Sequence, residues 1–133
     1  MQSSADPLDV LIVDDDPALL RTMSDVLRLK GFEPGIAQTG RQAMELAQHG
    51  HPAIAVVDLR LPDMDGLDLI TRLHGNHALT EVVVMTGNAS VTSAVRALRE
   101  HIFDYLLKPV APDQLVSTLE CAGERWRRRR AEA

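Results

Sequence analysis

Five short apolar runs punctuate the chain, and between them apolar residues return at helical spacing. The runs occupy residues 8–13, 32–38, 54–57, 81–85 and 104–107. Ile54-Ala-Val-Val57 shows no polar alternation, and the runs at 8–13 and 81–85 show little. Such runs form strands buried on both faces, as inside a parallel sheet. Pro34 and Gly35 interrupt the second run, which predicts a weaker strand at an edge.

The intervening segments carry helix signals. Asp16 before Pro17 predicts a helix start, with the acid as cap and the proline as first residue. Leu19, Leu20, Met23, Val26 and Leu27 keep the period until Gly31 stops it. A second helix is predicted over 41–49 with Ala43, Met44, Leu46 and Ala47 inward; at its end His49 and His51 flank Gly50 in what looks like a loop and are read as solvated. Leu67, Ile70 and Leu73 mark a third helix. Ser90 caps a fourth, whose Val91, Ala94, Val95 and Leu98 share one face. From Asp113 a last helix places Leu115, Leu119, Ala122 and Trp126 on one stripe. Strand and helix alternate five times, which predicts an α/β three-layer sandwich around a parallel sheet.

Composition narrows the class. A chain of 133 residues with 45% apolar content suits one soluble domain. No apolar run approaches the roughly 18 residues of a membrane span, and no membrane partner is expected. Residues 1–7 lack periodicity and are expected to be disordered, with neither the basic start nor the apolar stretch of a secretory signal. One cysteine, Cys121, cannot form an internal disulfide, which fits a reducing, cytoplasmic setting. Charge is uneven: residues 1–124 hold nine Lys/Arg against eighteen Asp/Glu, and 125–133 hold five Arg against one Glu. An acidic body argues against direct nucleic-acid binding. The main domain is expected over 8–124. Residues 125–133 form a basic helix end or linker, read as a solvated terminus whose dipole favours cations rather than as a phosphate- or lipid-binding patch.

Several strands finish in polar residues that a core does not need. The first run leads into Asp14-Asp15, the third into Asp58, the fourth into Thr86 and the fifth into Lys108. A parallel sheet gathers these at its carboxyl edge, where open α/β sheets place their ligand crevice. Clustered carboxylates repel one another unless a cation joins them. Oxygen ligands without His or Cys select a hard ion, Mg2+ or a relative such as Mn2+. Beside it, Lys108 and Thr86 suit a phosphoryl group and Asp58 suits a nucleophile. The plainer reading is a structural acidic edge balanced by Lys108. Asp63-Met-Asp-Gly66 has the outline of a calcium loop, but the alignment puts Leu61 and Arg72 where the anchoring acids belong. No P-loop or GxGxxG motif is present.

Taken together, Val13-Asp-Asp-Asp16, Val57-Asp-Leu-Arg-Leu-Pro-Asp-Met-Asp-Gly66, Met85-Thr-Gly-Asn-Ala-Ser90 and Asp104-Tyr-Leu-Leu-Lys-Pro109 resemble the receiver domain of two-component response regulators. The resemblance implies a flavodoxin-like sheet of strand order 2-1-3-4-5. It implies that Asp58 is the phosphoacceptor, that Asp15 binds Mg2+ directly, and that Asp14 holds the ion through water. The Arg60 backbone carbonyl falls where the family supplies a further ligand. Lys108 is expected to grip the phosphoryl group before a cis Lys108-Pro109 bond, and Thr86 and Tyr105 to form the switch pair. Gly87 is expected to leave a path to Asp58. A histidine kinase or phosphotransfer protein would be the donor and an output module downstream the target. The surface around the fourth helix, fifth strand and last helix would change partner preference or form a homodimer.

Such a domain would catalyse only its own phosphotransfer and dephosphorylation. The alternative is a stand-alone metal-dependent phosphatase, disfavoured by Arg60 where a second acid would belong. An interaction module that is never phosphorylated is disfavoured by the complete charged set. One departure stands out: His101-Ile102 occupies a junction where receivers more often carry Gly-Ala.

Overall fold

Each apolar run becomes a strand, and all five strands join one sheet. The computed structural model describes residues 6–133; of the segment 1–7 expected to be disordered, residues 1–5 lie outside it. The elements alternate along the chain as β1 (Asp9–Val13), α1 (Pro17–Leu29), β2 (Glu33–Ala37), α2 (Gly40–Gly50), β3 (Ile54–Val57), α3 (Gly66–Asn76), β4 (Glu81–Thr86), α4 (Val91–Arg99), β5 (Asp104–Leu107) and α5 (Pro112–Glu132). The sheet order is β2-β1-β3-β4-β5, and every pairing is parallel. The weak second strand is indeed an edge.

The helices cover both faces of the sheet. On one side Leu20, Met23 and Leu27 of α1 and Leu115, Leu119 and Ala122 of α5 pack on Val10, Ile12, Ile54, Val56, Val83 and Met85. On the other, Ala43 and Ala47 of α2, Leu69, Ile70 and Leu73 of α3, and Ala97 of α4 cover Leu11, Val13, Ala55, Val57, Val82 and Val84. Alternate residues of one strand therefore serve opposite cores, which is why the central strands are apolar throughout. Burial of each large side chain such as Ile12, Leu20, Ile54 or Leu119 contributes roughly 1.5–3 kcal/mol.

Several helix expectations change in detail. His49 lies within α2 rather than in a loop, its Nδ1 2.9 Å from the Glu45 carbonyl oxygen. His51 ends that helix in the left-handed conformation, at φ 48°. Leu46 is half-exposed, because α2 lies over the edge of the sheet and only Ala43 and Ala47 reach it squarely. In α4 only Ala97 is buried; Val91 and Leu98, 83% and 73% exposed, form an outward apolar face. Nor are all the terminal arginines solvated. Arg125 Nε and Arg129 Nη1 stand 3.4 and 2.7 Å from Glu81 Oε2, and Glu81 is 1% exposed. The Arg130 guanidinium lies 5.0 Å from the centroid of the Trp126 ring, which leaves Arg127 and Arg128 facing water.

Candidate functional site

Register delivers the site residues to one place. Val13 pairs with Val57, so Asp14 and Asp58 leave neighbouring strands at the same level. Thr86 ends β4 beside Leu107 of β5, and the Lys108 N–H donates to the Thr86 carbonyl at 2.9 Å. Lys108-Pro109 is cis. Each strand hands over its polar residue where its hydrogen-bonded ladder stops, the point at which a side chain is free to face the crevice.

Asp58 is the centre of the hydrogen-bond pattern. Its Oδ1 accepts from the Arg60 backbone N–H at 2.9 Å and from the Thr86 hydroxyl at 3.0 Å. Its Oδ2 accepts from Lys108 Nζ at 2.8 Å, and the same ammonium donates to Asp14 Oδ2 at 2.5 Å. Asp14, Asp58 and Thr86 are buried, whereas Asp15 is exposed. The Asn88 N–H donates to Thr86 Oγ1 at 3.2 Å and steadies the hydroxyl. With its amide oxygen turned toward Arg60, Asn88 also accepts from Nε at 2.6 Å and Nη2 at 3.0 Å, which links the loops that follow β3 and β4.

Burial and partners divide the carboxylates. Burial pushes Asp14 above its ordinary range, although the Lys108 ammonium and the Asp16 N–H pull the other way. Burial also works against Asp58, but the Arg60 N–H, the Lys108 ammonium and the Thr86 hydroxyl outweigh it and hold that carboxyl below its ordinary range. For Lys108, burial opposes the charge and the two carboxylates more than restore it, leaving the ammonium firmer than usual. Of the two buried carboxyls, Asp58 is therefore the more acidic and Asp14 the less.

The donor set suits a hard cation. Asp14, Asp15 and Asp58 each offer a carboxylate oxygen, and these lie within 4.8 Å of one another. Opposite ligands of an octahedral Mg2+ stand about 4.2 Å apart, so the cluster admits such an ion when one acid binds through water. Tyr105 stands away from the carboxylates. Its hydroxyl is 2.8 Å from Ser93 Oγ of α4, which ties the fifth strand to the fourth helix.

Sequence reasoning missed the work of the loop after β3. Asp63 accepts from the backbone N–H groups of Gly40 and Arg41 at 2.8 and 3.0 Å, capping α2 from a neighbouring loop. Asp65 caps α3 by accepting from the Leu67 N–H at 2.9 Å. Gly66 must be glycine, since a Cβ there would sit 2.3 Å from the Asp58 carbonyl oxygen. Pro-Asp-Met-Asp-Gly is therefore a bracket that seats two helices around Asp58. The two acids spaced before a glycine were its visible signal. A Cβ on Gly87, by contrast, meets only Lys108 carbons, at 3.8 Å or beyond, an ordinary contact.

A doubly covered parallel sheet with an acid-lined, lysine-bridged carboxyl edge defines a class of phosphoryl-handling α/β domain. Comparison with known proteins makes the family specific: the chain belongs to the response regulator receiver domain family, which matches residues 10–120. The regulatory protein AtoC of Escherichia coli (strain K12) is 40% identical over 106 residues, covering 80% of this chain and 23% of that protein. The acid tolerance regulatory protein ActR of Rhizobium meliloti is 38% identical over 117 residues, 87% of this chain and 60% of its own. The chain thus spans less than two thirds of these relatives. Among solved structures, a CheY-like receiver domain protein from Methanospirillum hungatei JF-1 superposes with a TM-score of 0.90 at 28% identity, covering 92% of this chain and 98% of that one. The protein is a receiver domain of the two-component type.

Proposed function

We propose that Asp58 accepts a phosphoryl group from a phosphohistidine of a kinase or phosphotransfer protein. One observation carries this assignment: a single lysine ammonium bridges Asp14 and Asp58, while the Thr86 hydroxyl donates to the same Asp58 carboxylate. In the transfer an Asp58 carboxylate oxygen forms the new O–P bond as the donor's N–P bond breaks, and the imidazole leaves with its electron pair. Asp14, Asp15, Asp58 and the Arg60 carbonyl would hold Mg2+, which supplies charge neutralisation for the phosphoryl oxygens. Lys108 is within reach of the oxygens that appear next to Asp58 Oδ2 and meets them with a full positive charge.

Thr86 and Tyr105 form the switch. New phosphoryl oxygens offer the Thr86 hydroxyl a more highly charged acceptor than Asp58 Oδ1, so its bond shifts toward them. Tyr105 then exchanges its Ser93 bond for the space beside β4, and α4 moves with it. The outward Val91 and Leu98 of α4 and the exposed Leu107 of β5 make this face suited to an output module or a second copy. The domain catalyses only its own phosphorylation and, with water reaching the acyl phosphate, its own reset. It works in the cytoplasm; no helix among the described residues is long and apolar enough to cross a membrane. Residues 8–124 make up the signalling body, and residues 125–133 carry the helix on from it.

Incubation with acetyl phosphate and Mg2+ tests the assignment. Intact-mass analysis is expected to show one added phosphoryl group, absent in Asp58→Asn and absent when the metal is chelated. Undiminished labelling of Asp58→Asn would place the acceptor elsewhere.

A further inference from the structure

At the sheet edge opposite the acidic pocket, two histidines face each other. His51 ends α2 and His77 ends α3, each fixed by a backbone bond to its own helix, at 2.9 Å to the Ala47 oxygen and 2.7 Å to the Leu73 oxygen. Their Nδ1 atoms are 3.3 Å apart. The ring centroids are 5.2 Å apart with the planes at 61°. Among the described residues each of these nitrogens has only the other as partner.

We propose that His51 and His77 form a two-nitrogen site for a borderline transition-metal dication, Zn2+ or a relative such as Co2+ or Ni2+, separate from the acidic pocket. Two imidazole nitrogens on one tetrahedral Zn2+, each about 2.0–2.1 Å from it, stand about 3.3–3.4 Å apart. With both lone pairs aimed at the ion, the ring centroids fall about 5.2 Å apart. A straight N–H···N bond of the observed length would instead separate them by about 5.6 Å. The 3.3 Å nitrogen spacing fits either arrangement, and the 5.2 Å centroid separation follows the converging one.

The surroundings select the ion class. The pair opens onto a depression of about 320 Å3, lined also by Asn76, Thr80, Trp126 and Arg130, where waters would complete the tetrahedron. Among the described residues no carboxylate lines it. A hard ion such as Mg2+ finds no anionic oxygen there, and the Arg130 charge opposes any cation held by attraction alone, so imidazole ligation has to supply the affinity. A bound ion would staple the turn before β3 to the turn before β4. Those two strands carry Asp58 and Thr86 at their far ends.

Cobalt titration in excess Mg2+ distinguishes the two sites, because tetrahedral Co2+ absorbs far more strongly in the visible than octahedral Co2+. The wild-type chain is expected to develop intense bands saturating at one ion per chain. His51→Asn, chosen because Asn tolerates the left-handed backbone, and His77→Gln are each expected to lose at least tenfold in affinity. A variant-free arm uses Zn2+ protection of His51 and His77 against diethyl pyrocarbonate, mapped by peptide mass. Equal titration of wild type and variants, weak octahedral bands alone, or unprotected His51 and His77 under Zn2+ would each overturn the proposal.

Discussion

Single residues in this protein are explained by backbone geometry as often as by chemistry. His101 sits at φ 58°, a left-handed conformation that costs an L-residue roughly 1–2 kcal/mol. That explains why its position, at the turn between α4 and β5, suits the Gly of the family pattern. His101→Gly is expected to stabilise the fold by about 0.5–1 kcal/mol in urea unfolding, the strain relieved less the added unfolded-chain entropy. Asp63 makes a different case. The Gly40 and Arg41 N–H groups hold its carboxyl below the ordinary 3.8. A lowered folded pKa contributes stability that is fully present above the unfolded value and disappears as pH falls through the folded one. Wild type should therefore lose stability on acidification below about pH 4 more steeply than Asp63→Asn, measured as the urea midpoint against pH. Parallel curves for the two proteins would remove Asp63 from the acid response.

At the scale of elements, β4 joins two unlike ends. Thr86 finishes it in the acidic pocket, and Glu81 begins it buried under the extension of α5. The carboxylate is buried, while Arg125 and Arg129 stay partly exposed, so the cost of breaking the pair is asymmetric. Removing both arginines strands a buried carboxylate and is expected to cost about 2–3 kcal/mol. Glu81→Met, which leaves arginines able to reach water, is expected to cost about 1 kcal/mol or less. Equilibrium unfolding of Glu81→Met and of the Arg125→Ala/Arg129→Ala double variant gives the order; the reverse order would contradict the clamp.

The sequence did not disclose this clamp, for a physical reason. A Glu opening an apolar strand reads as an exposed first residue, and nothing in hydrophobic periodicity links it to arginines more than forty positions later. Helix α4 illustrates a related limit. Its Val91, Val95 and Leu98 stripe is real, but periodicity identifies a stripe and not what covers it. The strand ends were legible because each apolar run stops abruptly at an acid, a threonine or a lysine, and a parallel sheet has only one carboxyl edge on which to collect them.

Over the whole molecule, the fold turns distant charges into one device. Asp14 and Lys108 lie at opposite ends of the chain and meet because β1 and β5 flank the β3-β4 pair in one parallel sheet. That closure makes Asp58 an ionised carboxylate with a cation already beside it. The predicted flavodoxin-like order, the strand-end cluster and the cis Lys108-Pro109 bond all appear in the structure. The bracket formed by Asp63, Asp65 and Gly66 was legible only as a pattern without a purpose, since Asp63's partners Gly40 and Arg41 open α2, more than twenty residues earlier in the chain.

Borohydride trapping is the most direct measurement of the central claim. An aspartyl phosphate is an acyl phosphate, and borohydride reduces it to homoserine at the residue that carried it. After acetyl phosphate and Mg2+ treatment, peptide sequencing is predicted to find homoserine at position 58 and an unmodified acid at 14 and 15. Homoserine at Asp14 or Asp15 with Asp58 intact would contradict the assignment.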